Sequence, residues 1–185
     1  MPKFAGIDPS LTRAGVVTYN TETQERYVAS FSSPNGGASV ADKHHRLMNH
    51  AEQIVKSSML TGGKPTIVAI EAPAFSSNTG KAWDRAGLWW YVVRLFMENG
   101  CTVIEIPPTS RAKYATGKGN AGKDEVMLAV SRNYPEFDIK NNDEADAVAL
   151  CAMIARLAGS PYDGDLPKNR LEAITKLEKD IQWVK

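Results

Sequence analysis

The chain begins with short runs of strand-forming residues that are separated by polar links. Runs of this kind predict five strands, at residues 4–8, 14–19, 26–31, 66–72 and 101–106. The first three strands follow one another closely, so an antiparallel meander is their simplest arrangement. The fourth run is continuously apolar until Glu71, which is typical of an interior strand in a parallel sheet.

Helical periodicity occupies most of the remaining chain. Apolar residues at three- and four-residue spacing predict helices at about 40–60, 81–98, 124–133, 143–158 and 168–184. The last of these is amphipathic, and its apolar stripe must dock either on its own domain or on a partner. The pattern therefore predicts an α/β fold followed by a C-terminal amphipathic helix.

Two carboxylates stand at the ends of predicted strands. Asp8 ends the first strand and Glu71 ends the fourth, and a proline follows each of them closely. In open α/β sheets, binding and catalytic sites form at the carboxyl ends of the strands. Asp8 and Glu71 are therefore expected to face each other if these two strands are neighbours.

Two further carboxylates share one face of the helix predicted at 143–158. Asp143 and Asp146 lie three residues apart, so at about 100° per residue they point to the same side, whereas Glu144 is expected to face solvent. Asn141 or Asn142 is a favoured N-cap for this helix. The helix macrodipole alone also favours acids at a helix start, and on this stretch alone that alternative stays open.

The helix predicted at 81–98 is apolar on more than one side. Its large apolar residues, among them Trp89, Trp90 and Phe96, cover nearly the whole circumference of its second half. One face is expected to pack on the sheet of the same chain. The other is expected to pack on a second copy, since large exposed apolar patches usually mark interfaces. A neighbouring helix of the same chain is the alternative.

A basic, glycine-rich segment follows the fifth strand. Residues 107–123 contain no acid and carry four basic residues, Arg111, Lys113, Lys118 and Lys123. The glycines would let the backbone approach a phosphate, and the cations could neutralise a nucleic-acid backbone. The segment nearly matches a P-loop but has Asp124 where a Ser or Thr must hold magnesium, so no nucleotide cofactor is expected. A solvated linker without a ligand is the alternative.

Composition narrows the class of protein. A net charge of only +1 over 185 residues means that any polyanion site must be local. Cys101 and Cys151 lie in apolar segments without metal-site spacing, and they are expected to be reduced thiols of a cytoplasmic protein. No apolar run is long enough to span a membrane. His44, His45 and His50 are expected on a solvated helix face.

The four carboxylates together suit hard metal cations. They are called the acidic cluster below and comprise Asp8, Glu71, Asp143 and Asp146. Mg²⁺ prefers oxygen ligands, and two ions about 3.5 to 4 Å apart need several carboxylates to offset their mutual repulsion. Such a pair activates water for in-line attack on a phosphodiester. The acidic cluster and the basic segment therefore predict metal-dependent hydrolysis of a nucleic acid.

The order of these motifs resembles the RuvC family of Holliday junction resolvases. The resemblance rests on GIDPSLTRAG with Asp8, VAIEAPAF with Glu71, GKGNAGKDEV, and NNDEADAVAL with Asp143 and Asp146. It covers about residues 3–157 and implies an RNase H-like fold, with a mixed five-stranded sheet flanked by helices. The domains expected from it are a nuclease domain at 1–160 and a helical tail at 161–185.

The resemblance also implies an activity. It implies a homodimer that nicks four-way DNA junctions symmetrically, with two Mg²⁺ ions per active site that Mn²⁺ can replace. Asp8 would bridge the two ions and the rest of the acidic cluster would complete their ligand shell, while Lys113 and Lys123 would lie near the scissile phosphate. The implied DNA-binding residues are Phe75, Lys81, Arg85, Arg111, Lys113, Lys118 and Lys123. The implied dimer helix carries Gly87, Trp90 and Arg94.

The chain departs from the family at one position, and other functions remain open. Members commonly have an aromatic residue three positions after the strand-end Glu, where this chain has Ala74, so base stacking would fall to Phe75. Small viral members cut several kinds of branched DNA, which leaves open a phage-encoded protein with a wider substrate range. Two other functions remain as alternatives, a junction-binding module without catalysis and a kinase of the actin-like fold.

Overall fold

The strands form one mixed sheet. The computed structural model describes residues 2–33, 36–61, 63–73 and 81–178 of the chain. Its strands are β1 (Lys3–Asp8), β2 (Arg13–Asn20), β3 (Arg26–Ser32), β4 (Ile67–Glu71) and β5 (Thr102–Ile106). They lie in the order β3-β2-β1-β4-β5. The first three are antiparallel, and β4 is parallel to both β1 and β5. The five strands, the meander and the parallel fourth strand are thus confirmed.

The helices cover both faces of this sheet. They are α1 (Val40–Leu60), α2 (Ala82–Glu98), α3 (Pro108–Thr116), α4 (Lys123–Asn133), α5 (Asn142–Leu157) and α6 (Lys168–Glu178). Alternate residues of each strand face opposite layers, as the pleat requires. Ala5 and Ile7 pack with α1 and α2, whereas Phe4 packs with the layer built around α5. The sheet is therefore buried between two apolar layers.

Residues 107–123 were expected to contain no helix, and this expectation was wrong, because α3 lies within them. Pro108 is its first residue, where a fixed φ and a missing N–H cost nothing, and Gly117 ends it with a φ of 87°. This proline-first and glycine-last pattern was the signal in the sequence. The basic segment is therefore half helix, and its side chains have fixed directions.

Helix α5 lies unusually close to the sheet, because Gly6 of β1 has no side chain. A Cβ at Gly6 would meet the Ala147 carbonyl oxygen at 2.1 Å and the Cys151 amide nitrogen at 2.5 Å. All residues of α5 from Asp143 to Ala155 are buried. The helix thus crosses the centre of the domain, with its first turn at the carboxyl ends of β1 and β4.

The C-terminal helix docks on its own chain. Ile174 and Leu177 of α6 are buried in the same apolar layer as α5. Arg170 donates from Nε to the carbonyl oxygen of Tyr114 in α3, and Lys113 pairs with Glu172 at 2.7 Å. The described part of the tail therefore braces α3, whereas residues 179–185 lie outside the described residues. The division at residue 160 stays a prediction.

One of the three histidines of α1 is not on a solvated face. His50 is only 1% exposed, and its Nε2 lies 3.1 Å from the carbonyl oxygen of Ser10. His44 and His45 are exposed, as predicted. The expectation for His50 was wrong because α1 packs against the turn that follows β1, which no local pattern reveals. Within the described ranges, no helix combines the length and the apolar character needed to cross a membrane.

We predict that Gly6→Ala destabilises the fold. The added Cβ would collide with the backbone of α5, and overpacked core positions cost about 1–3 kcal/mol of unfolding free energy. Thermal unfolding should therefore show a Tm lower by about 2–10 °C. Gly164→Ala is the control, since its Cβ would meet nothing within 4 Å. Equal Tm values for the two variants would contradict the close approach of α5.

Candidate active site

The acidic cluster lies around one cavity of about 390 Å³ at the carboxyl ends of β1 and β4. Ile7 of β1 pairs with Ile70 of β4, so the residues that follow, Asp8 and Glu71, end neighbouring parallel strands. Asp143 and Asp146, from the first turns of α5, line the same cavity. The structure thus brings together all four carboxylates that were selected from the sequence.

A second glycine sets the position of Asp143. A Cβ at Gly15 of β2 would lie 2.0 Å from the carbonyl oxygen of Asp143, so only glycine allows this contact. Gly15 pairs with Asp8 across the β1–β2 ladder. The start of α5 is further fixed by its predicted N-cap, because Asn141 accepts a hydrogen bond from the Glu144 amide at 3.1 Å.

Two arginines form ion pairs with three of the four carboxylates. Arg111 of α3 donates from Nε to Glu71 Oε2 at 2.6 Å and from Nη1 to Asp146 Oδ1. Arg13, the first residue of β2, donates from Nε to Asp143 Oδ2 at 2.6 Å. These are charge-assisted hydrogen bonds, which are about twice as strong as neutral ones.

Burial, together with the repulsion within the cluster, raises the pKa of two carboxyl groups. Burial, followed by the charges of Glu71, Asp146 and Asp143, raises the pKa of Asp8 well above its usual range. Burial also raises the pKa of Asp146 to about 7, although the Arg111 guanidinium opposes this shift. The cluster therefore retains protons that exposed carboxyl groups release, and a divalent cation could take their place.

The side chains of the cluster suit a divalent metal by chemistry, although their present directions do not. All four offer carboxylate oxygens, the ligands that Mg²⁺ prefers. Among the described residues, no group of three or more Asp, Glu, His or Cys side chains is arranged to hold a metal ion. The reason lies in the ion pairs, since Arg111 and Arg13 draw three of the carboxylates towards themselves. Metal ligation by these residues stays a prediction.

The basic residues selected from the sequence fall into two groups. Lys81, Arg85 and Lys123 line the cavity together with Arg111. Lys113 and Lys118 do not line it, and they form ion pairs with Glu172 and Glu125. Arg111 is 7% exposed and faces inward, and its contact with DNA stays a prediction. Phe75, the candidate for base stacking, and Ala74 lie outside the described residues.

Glu144 corrects another expectation. It was expected to face solvent, yet it is 4% exposed and accepts hydrogen bonds from Ser30 Oγ at 2.8 Å and from the Lys140 amide at 2.7 Å. The helix is buried on every side, so its polar side chain needs internal partners. Glu144 therefore ties the start of α5 to β3.

Two features of the site were not predicted from the sequence. They are the contact of Arg13 with the acidic cluster and the inward direction of Arg111. Arg13 could have been found from the meander, since an antiparallel partner of β1 starts at the edge where Asp8 ends. Arg111 required the missed helix α3, whose first turn aims it at the strand ends. Both residues contact carboxylates that are distant in the chain.

Helix α2 has three faces with different surroundings. Leu88, Val92 and Phe96 are buried against the sheet. A Cβ at Gly87 would contact Leu47 of α1 at 3.4 Å, so Gly87 faces α1 of its own chain. Arg94 pairs with Glu98 of the same helix at 2.7 Å.

The third face of α2 is apolar and exposed. Trp83, Trp90 and Met97 recur every seventh residue and are 88%, 63% and 62% exposed. Residues seven apart lie on the same side of a helix. The predicted second apolar face therefore exists, and it is centred on Trp90.

Comparisons with known proteins agree with this architecture. The RuvC crossover junction endodeoxyribonuclease of Synechococcus sp. (strain WH7803) is 28% identical over 153 residues, which cover 80% of this chain and 94% of the relative. The corresponding protein of Rickettsia prowazekii is 29% identical over 147 residues, which cover 78% of this chain and 91% of the relative. No family model matches the chain.

Solved structures agree on the fold. The structure of Thermus thermophilus RuvC superposes with a TM-score of 0.64 at 20% identity and covers 88% of this chain and 99% of its own. The same protein in complex with a Holliday junction substrate gives a TM-score of 0.63 at 18% identity, with coverages of 89% and 100%. The yeast mitochondrial Holliday junction resolvase Ydc2 gives a TM-score of 0.53 at 9% identity and covers 100% of this chain and 85% of its own.

The sheet order, the flanking helices and these superpositions define an RNase H-like fold, with the acidic cluster at its strand ends. Within that class, both the sequence matches and the structural match are to RuvC. The predicted resemblance is confirmed, and the chain is similar to RuvC in sequence and in fold.

We predict that the metal-free protein loses stability as the pH rises from about 5 to about 8. The folded state retains protons on Asp8 and Asp146 that the unfolded state has released, since both pKa values are raised above the usual aspartate value. Asp8→Asn removes the repelling charge, so its Tm in chelator should exceed that of the wild type at the upper pH. Asp165→Asn, on the exposed surface, is the control. Because the pKa of the buried His50 is lowered and acts in the opposite direction, the decisive quantity is the Tm difference between Asp8→Asn and the wild type, and a difference that does not grow with pH would refute the assignment.

Proposed function

We propose that the protein is a metal-dependent, structure-selective endodeoxyribonuclease that resolves Holliday junctions and cuts other branched DNA. The observation that carries this proposal is the acidic cluster around one cavity, bordered by Lys81, Arg85 and Lys123. The RuvC relatives are named crossover junction endodeoxyribonucleases, and one solved RuvC holds a Holliday junction substrate. Site, sequence and fold support the same activity.

The proposed cofactor is a pair of Mg²⁺ ions, with Mn²⁺ as a substitute. The RuvC family consists of metal-dependent nucleases. Asp8 would bridge the two ions, because it ends the central strand and the charges of the other three carboxylates all act on it. Glu71, Asp143 and Asp146 would complete the ligand shell. When bound, such ions activate a water molecule for attack on the phosphodiester and stabilise the leaving oxygen.

The basic residues would orient the DNA around this cavity. Lys123 begins α4, lines the cavity and lies close enough to Asp146 to lower its pKa, so we assign it to the scissile phosphate. Lys81 and Arg85 are one turn apart at the start of α2 and would bind the neighbouring backbone. Lys113 and Lys118 would exchange their carboxylate partners for phosphates farther out, and Phe75 would stack on a junction base.

We propose that the exposed face of α2 joins two copies of the chain. Trp83, Trp90 and Met97 form a straight apolar stripe, whose exposure would be costly in a monomer. A two-fold axis near Trp90 would pair the stripe with itself, as an isologous interface requires. Arg94 lies beside this stripe, whereas Gly87 would act through the packing of α1 on α2. Two active sites are what symmetric nicking of a four-way junction requires.

The alternative of a binding module without catalysis is less consistent with the cavity. When all four carboxylates are ionised they would repel a DNA backbone unless a cation offsets their charge, and the two arginines supply only two positive charges. Burial, together with the charges of Glu71, Asp146 and Asp143, also raises the pKa of Asp8. A protein that only binds DNA has no use for such a group.

We place the protein in the cytoplasm as part of this proposal. Cys101 and Cys151 are buried and free. Unpaired thiols of this kind are typical of reducing compartments.

We predict that Asp146→Asn abolishes junction cleavage and keeps junction binding. Loss of a proposed metal ligand should lower the cleavage rate by at least about 100-fold, more than loss of a residue that only supports a ligand. A labelled four-way junction with Mg²⁺ measures cleavage, and a gel shift in chelator measures binding. Asp138→Asn, whose side chain is 86% exposed, is the control. Full cleavage by Asp146→Asn, or a wild type that binds without cutting, would reject the nuclease proposal.

We predict that Trp90→Asp separates the dimer into monomers. A charge at the centre of the apolar stripe would remain buried and unpaired on dimerisation, which is strongly unfavourable. Sedimentation should give twice the chain mass for the wild type and one chain mass for the variant. Leu128→Asp, at a residue 52% exposed on α4, is the matched control and should stay dimeric. A monomeric wild type at micromolar concentration would be incompatible with this interface.

A further inference from the structure

Arg111 occupies the centre of the acidic cluster. Its Nε lies 2.6 Å from Glu71 Oε2, its Nη2 lies 3.4 Å from Glu71 Oε1, and its Nη1 donates to Asp146. One guanidinium thus bridges two carboxylates that come from β4 and α5. Its side chain is 9% exposed, so these ion pairs are shielded from solvent.

Arg111 donates to both oxygens of Glu71 and to one oxygen of Asp146. A metal ion that took any of these three oxygens as a ligand would compete with the guanidinium for it. Arg111 holds them in directions that leave no group able to bind a metal among the described residues. It therefore fills the role of a cation in the cluster, with one positive charge where each metal ion would bring two.

We propose that Arg111 is an internal cation that competes with the metal for Glu71 and Asp146, and that metal loading releases its guanidinium to bind a DNA phosphate. This inference rests on the proposed nuclease function. It assigns Arg111 two successive partners, carboxylates in the metal-free protein and a phosphate in the loaded one. The competition lowers the affinity for metal in the absence of DNA.

The surroundings of Arg111 favour movement of its side chain rather than of its helix. The backbone of α3 is held by Arg170, which donates to the Tyr114 carbonyl, and by Asn169, which lies against Gly117. The side chain instead lines the cavity, beside Lys123 and Arg85. A released guanidinium would therefore stay among the basic residues that border the proposed DNA site.

The two ligands are then coupled. A DNA phosphate offers Arg111 another acceptor and so frees the carboxylates for metal, whereas metal frees Arg111 for the phosphate. Such coupling is reciprocal, so each ligand tightens the binding of the other by the same factor. Metal would be held firmly only when DNA is in place.

Calorimetric titration of Mg²⁺ or Mn²⁺ into the DNA-free dimer tests the competition. Arg111→Gln should bind the metal more tightly than the wild type by on the order of tenfold, the usual scale for residues that tune metal ligands. Arg111→Lys, which keeps the charge but loses the planar fork, should be intermediate. Lys140→Gln is the charge-matched control and should equal the wild type, since the Lys140 side chain is 70% exposed and pairs with Asp138.

The outcomes separate this inference from the function on which it rests. Equal or weaker metal binding by both Arg111 variants would overturn the inference alone. A wild type that binds no divalent metal, with or without a junction, would overturn the proposed nuclease function itself.

A measurement on the wild type covers the case in which Arg111→Gln does not fold. The Nε–H signals of arginine side chains can be followed by NMR during a metal titration. The Arg111 signal should change as its hydrogen bond to Glu71 is lost. The signals of Arg156 and Arg170, whose Nε groups bond to Tyr114, are internal controls and should stay constant. An unchanged Arg111 signal at saturating metal would also overturn the inference.

Discussion

The site depends on the contact of α5 with the backbones of β1 and β2. Gly6 and Gly15 provide the space for it, since a Cβ at either position would overlap the backbone of the helix. With this contact, Asp143 and Asp146 reach the edge where Asp8 and the neighbouring strand end. A helix placed a side chain's width farther away would leave two acids on the sheet and two on a separate surface.

This arrangement makes the site electrostatically unfavourable without a further cation. Four carboxylates face one cavity, and two arginines offset only part of their charge. Burial and mutual repulsion raise the pKa of Asp8, which ends one of the most buried strands of the sheet. The apolar layers on both faces of the sheet supply the stability that this repulsion costs. Local strain of this kind is common where a protein is built to bind and react.

Most of the fold was predictable because its elements are encoded locally. The continuous apolar run before Glu71 indicated an interior strand, and the three-residue spacing of Asp143 and Asp146 placed them on one helix face. Helix α3 was also encoded locally, by Pro108 and Gly117, but its signal was overlooked. The selection of the four acids therefore needed only strand ends and helical periodicity.

The residues that were not predicted are those whose roles depend on distant partners. Glu144 is buried because Ser30 lies opposite it, and His50 is buried because the turn at Ser10 packs on it. Arg111 is basic in a basic segment, yet it faces inward, since α6 and the strand ends determine where α3 lies. Periodicity describes one element at a time, and these roles arise between elements.

The central claim is that the acidic cluster binds the metal ions of a nuclease. Anomalous diffraction from a crystal grown with Mn²⁺ tests it most directly. The account predicts anomalous peaks between Asp8, Glu71, Asp143 and Asp146, with the guanidinium of Arg111 no longer bridging Glu71 and Asp146. A structure at saturating Mn²⁺ in which no peak lies in this cavity would contradict it.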